Sequence, residues 1–284
     1  MKKVNKLVVL VLALAMVAFA MVGCGGKKDK DNIDIKTPVS QLDALMEVKA
    51  GQSDVAIIDS TMAGYLLKSD TSFSDLVIVD IKYDFEKEFY AVAAKKGNDK
   101  LINFVNAGIK AQQAQDGAYN TLLTKYGLET RKNLINDEIT VAEDWKTQLA
   151  TQGKVVIGYT LNAPMGIEND DKSVSGFDIE LAKAIFADSG VTVETKLIEW
   201  DNKEMELNAG TIDLVWNGLT ANPDREKTME LSKYYLVNEQ AVVVKKSNKD
   251  DYTSVDSLKG KKVAVEQGSA GQYAANVIKE SFNK

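Results

Sequence analysis

Residues 208–220 read NAGTIDLVWNGLT, and residues 49–61 read KAGQSDVAIIDST. In both, Ala-Gly is followed three residues after the Gly by Asp, then by an apolar run, and Thr stands eleven positions after the Ala. A Gly that closes a helical pattern, then a short β-branched run, reads as a helix-to-strand turn. Two further pairs repeat in the chain. YAVAAKKGN (90–98) is echoed by QAVVVKKSN (240–248), and GKVVIGYT (153–160) more loosely by GKKVAVEQ (260–267). FDIELAKAIFADSG (177–190) and QLDALMEVKAG (41–51) supply helical periodicity, each ending in Gly. Strands alternating with helices predict a layered α/β protein whose sheet is largely parallel.

The order of the echoes carries a second message. One unit runs Gly-Lys strand (153), Ala-Gly-x-x-Asp strand (209), Ala-Val crossing strand (241). The next begins at 260, and its other parts lie at 50 and 91. That unit is complete only if residues 260–284 are read into residues 37–96, so the sequence is expected to be circularly permuted. The joining stretch 128–152, LETRKNLINDEITVAEDWKTQLATQ, is charged and partly helical in pattern, unlike a Gly/Ser linker.

Composition narrows the chemistry. The 284 residues contain one cysteine and no histidine. This rules out an internal disulfide, a His-dependent triad, a His general base and Cys- or His-based metal sites; no cofactor is expected. The first 23 residues have a basic start (Lys2, Lys3, Lys6), an apolar run from Leu7 to Val22, and small residues at the break, the pattern of a signal peptide. Their removal takes three lysines and no acid, which carries the net charge from −6 to −9. An acidic surface argues against nucleic acid and against a polybasic membrane face. Cys24 directly follows Gly23, as at a bacterial lipoprotein cleavage site, with Met21 where Leu is usual. Lipidation there would leave the protein anchored to the extracytoplasmic face of the membrane, not spanning it.

Several residues have a physical reading of their own. In TANPDR (220–225), Asn222 is a helix cap, Pro223 suits the first helical position and Asp224 suits the positive end of the helix dipole. Thr220 and Arg225 would then stand beside exposed amides, as at an anion site, although spacing alone equally describes a solvated first-turn arginine. EQGSAG (266–271) lies between a strand and a helix, where the amides of Ser269 and Ala270 can approach an anion or simply turn. Asp59 is a strand-end carboxylate, and Trp200 a lone indole in an Asp-rich strand end.

The strings GYTLNAPMGI, SGFDIELAKAIFADSGV, IEWDNKEMELNAGTIDLVWNGLTANPDREKTMELS, DSLKGKKVAVEQGSAGQYA and AGQSDVAIIDSTMAGYLLK, with LINFVNAGIKAQQAQDGAYNTLLTKYG, resemble the solute-binding proteins of ABC importers for polar amino acids, family 3. The resemblance covers nearly all of 37–127 and 153–284, with the two blocks exchanged relative to the family order. It implies a two-lobed periplasmic-binding-protein-like fold of type II, circularly permuted, with a ligand cleft between the lobes. The tether would be 24–36, lobe two 37–85 and 239–284, and lobe one 86–238. It further implies that Arg225 and Thr220 hold the ligand carboxylate, that Ser269 and Ala270 hold it from the opposite lobe, and that Gly218 offers a carbonyl to the amine. Asp59 would hold the α-ammonium and Trp200 would cover the side chain. Asn162 stands where many relatives carry Tyr or Phe, which leaves the usual aromatic sandwich incomplete. Glu266 stands where relatives vary with the ligand side chain; if it points inward it favours a cationic or amide side chain. The expected partners are a small-molecule amino acid, a permease and, through the lipid, the membrane, with the protein a monomer. The alternatives are a sensing module without transport, and a dehydratase or lyase on the same fold, for which only Asp, Glu, Lys or Tyr is present as acid or base.

Overall fold

The computed structural model describes residues 31–135 and 152–283, Gln115 and Asp188 excepted, together with Ile139 and Leu149. Residues 1–23 and Cys24 lie outside the described residues, as does most of 136–151. In chain order the elements begin with β1 (Asp34–Lys36), α1 (Gln41–Ala50), β2 (Val55–Asp59), α2 (Ser60–Ser69) and β3 (Leu76–Val79). Then come β4 (Glu88–Lys95), α3 (Asp99–Gln112), α4 (Ala118–Tyr126), β5 (Lys154–Tyr159) and a small hairpin, β6 (Ile167–Glu168) and β7 (Val174–Ser175). The chain continues through α5 (Phe177–Phe186), β8 (Thr192–Leu197), α6 (Lys203–Ala209), β9 (Leu214–Thr220) and α7 (Pro223–Thr228). The last elements are β10 (Met229–Leu231), β11 (Leu236–Asn238), β12 (Gln240–Lys245), β13 (Lys262–Ala264) and α8 (Ala270–Ser281).

The strands form two principal sheets with one shared plan. The first is ordered β1-β13-β2-β12-β3; the second, read in the same direction, is β8-β5-β9-β4-β10, with β11 also on β4. In each, the first three strands are parallel and the fourth is antiparallel to both of its neighbours. The largely parallel sheet expected from strand–helix alternation is therefore a mixed one. The physical reason is the route of the chain. The parallel strands β2 and β9 both end at the junction between the sheets, so β4 and β12, which arrive from the other sheet, enter there and must run the opposite way.

The doubled motif has the same geometry twice. Gly51 and Gly210 close α1 and α6 in the left-handed region, at φ +76° and +70°, each donating its N–H to carbonyls of the last turn. Three residues later the Asp carboxylate accepts a backbone N–H from the neighbouring strand: Lys262 N to Asp54 Oδ2 at 2.8 Å, and Val156 N to Asp213 Oδ2 at 2.7 Å. The Asp N–H in turn donates to the carbonyl of that same neighbour, at 2.9 Å and 2.8 Å. The motif thus turns the chain out of a helix and locks the register of two parallel strands.

Alternation along the strands separates the cores. Ala56 and Ile58 of β2 pack with Leu45, Val48 and Met62, while Val55 and Ile57 pack with Val263, Val265 and Ile278. The second sheet buries Trp216, Phe177 and Tyr235 on one face, and Val215, Leu219 and Trp200 on the other. The stretch read as a tether, 24–36, does not stay one to its end. Ile33 is buried and Asp34–Lys36 pairs with β13, because its alternating Ile residues fit the apolar edge left beside Val263.

Candidate functional site

The carboxyl ends of β2, β5 and β9 and the amino end of α8 converge on one narrow cavity with about 270 Å³ of space not filled by atoms, part of it open to solvent. Its wall contains all nine residues singled out in the sequence: Asp59, Asn162, Trp200, Gly218, Thr220, Arg225, Glu266, Ser269 and Ala270. Gln41, Thr160 and Asn217 complete it. A wider, open groove of about 2220 Å³ on the same measure continues from Thr220, Arg225, Ser269 and Ala270 between Tyr83–Phe89 and α8.

Arg225 is set by its helix cap. Asn222 Oδ1 accepts from Asp224 N at 3.1 Å and Arg225 N at 2.9 Å, with Pro223 in the first turn. The guanidinium is buried, donates from Nη1 to the Thr220 carbonyl at 2.5 Å, and reaches across the junction from Nη2 to the Gly268 carbonyl at 3.1 Å. Its Cζ lies 5.7 Å from the Trp200 ring centroid, and Lys203 Nζ lies 4.8 Å from the same ring. Trp200 is thus buried with two cations near its ring as well as lining the cavity. Burial, with Arg225 nearby, lowers the Lys203 ammonium to about 8.

The α8 side approaches closely because residue 268 is Gly. Its φ is +69°, and a Cβ there would stand 2.7 Å from Asp201 Oδ1. Gln267 Nε2 donates to Asp201 Oδ2 at 2.8 Å, a second contact between the two units. Ser269 caps α8 by accepting from Gln272 N at 3.1 Å. Its own N–H, expected to be free for an anion, donates to the Glu266 carbonyl at 3.2 Å. Similarly the Thr220 hydroxyl donates to Glu88 Oε2 at 2.9 Å. Both differences arise from neighbours distant in sequence or folded into the turn.

Asp59 is wrapped in amides. Its Oδ1 accepts from Gln240 Nε2 at 2.7 Å and Asn238 Nδ2 at 3.0 Å, and its Oδ2 from Gln41 Nε2 at 2.9 Å. Gln240 and Asn238 donate also to Glu88, at 2.9 to 3.1 Å, so two carboxylates share two amides where the chain crosses between the sheets. Burial raises both carboxyls, and Asp59 adds to the effect on Glu88, which reaches about 7. Glu266 is buried against the cavity, and desolvation with the nearby Asp59 pushes it up to about 8. Gly218, at φ +64°, packs its backbone beside Tyr90 and Asn162, and its N–H donates to Asp178 Oδ2 at 2.7 Å. Burial raises Asp178 to about 7.

Sequence reasoning passed over Gln41, Thr160, Asn217, Glu88 and Asp178. Thr160 was legible, since it follows β5 at the cavity much as Thr220 ends β9. Asp178 and Gln41 carried no signal, being polar residues in the first turns of ordinary amphipathic helices.

A cavity between two α/β units of one plan, lined with opposed charges, defines a two-lobed α/β protein with its candidate site at the junction. Residues 155–280 match the family model of the bacterial extracellular solute-binding proteins, family 3. Among curated proteins, the L-cystine-binding protein TcyJ of Escherichia coli is 33% identical over 106 residues, 37% of this chain and 40% of that protein. The arginine-binding extracellular protein ArtP of Bacillus subtilis is 30% identical over 116 residues, 41% of this chain and 45% of that one. The chain thus spans less than half the length of these relatives. Among solved structures, a histidine-bound ABC uptake transporter substrate-binding protein from Streptococcus pneumoniae shares 41% identity over 31% of this chain and 36% of its own, with a TM-score of 0.28. A polar amino acid ABC uptake transporter substrate-binding protein from Streptococcus thermophilus shares 44% identity over 30% of this chain and 32% of its own, with a TM-score of 0.27.

Proposed function

We propose that this protein captures a polar amino acid between its two α/β lobes and hands it to the permease of an ABC importer. The observation that carries the reading is the meeting of Asp59, at the end of β2, and Arg225, in the helix that follows β9, both buried on one cavity wall. A buried cation facing a buried carboxylate suits a zwitterion, whose carboxylate Arg225 would hold and whose ammonium Asp59 would hold. Because the two anchors belong to different lobes, a ligand spanning them favours the closed arrangement. Lobe one would be 86–238 and lobe two 37–85 with 239–284, a circular permutation of the family order. The matched strand plan of the two sheets supports that division.

Removing one buried charge partner costs roughly 3–5 kcal/mol, or on the order of a hundredfold or more in affinity. Arg225→Ala and Asp59→Asn are each expected to weaken binding that much in calorimetry, and N-acetylated or amidated amino acids are expected not to bind the unaltered protein. Tight binding of a blocked analogue, of a sugar or of a metal ion sinks the amino-acid reading. As a receptor rather than an enzyme, the protein should return its ligand chemically unchanged after incubation. Lipidation of Cys24 would tether this receptor at the extracytoplasmic membrane face. Among the described residues no helix is long and apolar enough to cross a membrane. Cys24→Ala should therefore move the protein from the membrane to the soluble fraction, and unchanged fractionation counts against the anchor.

A further inference from the structure

We infer that the amino acid held in this cavity has a positively charged side chain, received by the Glu266 carboxylate, with the amide oxygen of Asn162 as a further acceptor on the same wall; this rests on the amino-acid reading above. The cavity wall carries two carboxylates, Asp59 and Glu266, and one cation, Arg225. A zwitterion brings one charge of each sign, taken up by Arg225 and Asp59, and leaves the site one negative charge in excess. An amino acid with a second cation cancels that excess.

The hydrogen bonds locate where the cation belongs. Glu88 is answered by Thr220, Asn238 and Gln240. Lys203 Nζ donates to the Trp200 carbonyl at 3.1 Å and lies over the indole, and Lys203 is not part of the cavity wall. Glu266 is 3% exposed and lines the cavity, where Gln41 directs its amide nitrogen to Asp59 Oδ2 at 2.9 Å. A carboxylate offers about four acceptor positions, so most of the capacity of Glu266 remains for a ligand. Asn162 is 5% exposed and lines the same cavity; its Nδ2 donates to the Asn217 carbonyl at 3.3 Å, while its Oδ1 is buried without a protein partner. A buried acceptor left unmade is costly, and an ammonium or guanidinium brings several donors at once. Desolvation near Asp59 holds the Glu266 carboxyl high, as expected of a carboxylate whose counter-charge arrives with the ligand.

The test compares side chains of equal shape and different charge on the whole protein: arginine against citrulline, and lysine against norleucine, by calorimetry at pH 8. Arginine or lysine should bind roughly 100-fold more tightly than its neutral counterpart. Glu266→Gln, which keeps the shape and removes the charge, should bring the two members of each pair within a few-fold of one another. Citrulline or glutamine binding as tightly as arginine overturns the cationic ligand while the amino-acid reading stands. A cation preference that survives Glu266→Gln overturns the assignment to Glu266. Failure of every free α-amino acid to bind overturns the amino-acid reading itself, and this inference with it. The unaltered protein by itself decides whether the ligand is cationic, even if the variant folds poorly.

Discussion

Arg225 shows how much a single position depends on its immediate neighbours. Asn222 and Pro223 set the start of α7, and three residues on the guanidinium is delivered beside Thr220 and Trp200. That much is local and legible. Glu266 is different, because its protonation depends on groups from several segments: Asp59 from β2, Gln41 from α1, Lys203 from α6 and Arg225 from α7. Burial raises Glu266 to about 8, and Glu88 and Asp178 to about 7. A carboxyl raised on folding binds more protons in the folded chain than in the unfolded one. Its contribution to stability is therefore fully present below the unfolded value and is lost as pH rises through the folded one. The ligand-free melting temperature should thus fall between pH 5 and pH 8, and Glu266→Gln should flatten part of that fall. A cationic ligand needs Glu266 ionised, so the ligand-induced rise in melting temperature should grow over the same range. Thermal melts at four pH values, with and without arginine, read both slopes; a ligand-free protein more stable at pH 8 than at pH 5 contradicts the assignment.

At the scale of elements, two close approaches decide how helices lie on the sheets. Gly271 in the first turn of α8 sits against β2, where a Cβ would stand 2.6 Å from the Ile57 carbonyl oxygen. That neighbour is backbone and cannot rotate away. Gly271→Ala should cost about 1–3 kcal/mol through overpacking and should shift α8, which carries Ser269 and Ala270, away from the cavity. Urea unfolding measures the first effect and ligand affinity the second. Unchanged values of both would show that α8 has slack at this contact. Gly108 plays a comparable part between α3 and α5, facing the Ile185 side chain. Neither glycine announced itself in the sequence, since a glycine within a helical pattern looks alike whether it faces solvent or a neighbouring backbone.

At the scale of the whole molecule, the two sheets repeat one order of strands, but one of them is assembled from the first and last described segments. β13 lies between β1 and β2, and Asn32 Nδ2 donates to Asn283 Oδ1 at 2.9 Å and to the Lys279 carbonyl at 3.2 Å. A chain joined from Lys284 to Ile35 through a short linker, and opened near residue 140, should therefore fold cooperatively and bind the same ligand. Proximity of the ends is what such rearrangement requires. If the rejoined chain is insoluble while the present order is stable, the exchanged-block reading fails.

The doubled Ala-Gly-x-x-Asp motif, the cap of α7 and the charges at Asp59, Glu266 and Arg225 were all determined by the sequence itself, because each is a short-range pattern with its own steric or electrostatic meaning. The nine candidate residues were chosen from those patterns and from resemblance, and the cavity wall contains them all. The tertiary structure alone decided the antiparallel run of β4 and β12, the pairing of Asp34–Lys36 with β13, and the diversion of the Thr220 hydroxyl to Glu88. It alone brought Gln41, Asn217 and Glu88 to the site. Those outcomes depend on contacts between residues up to 228 positions apart, for which adjacent side chains carry no information.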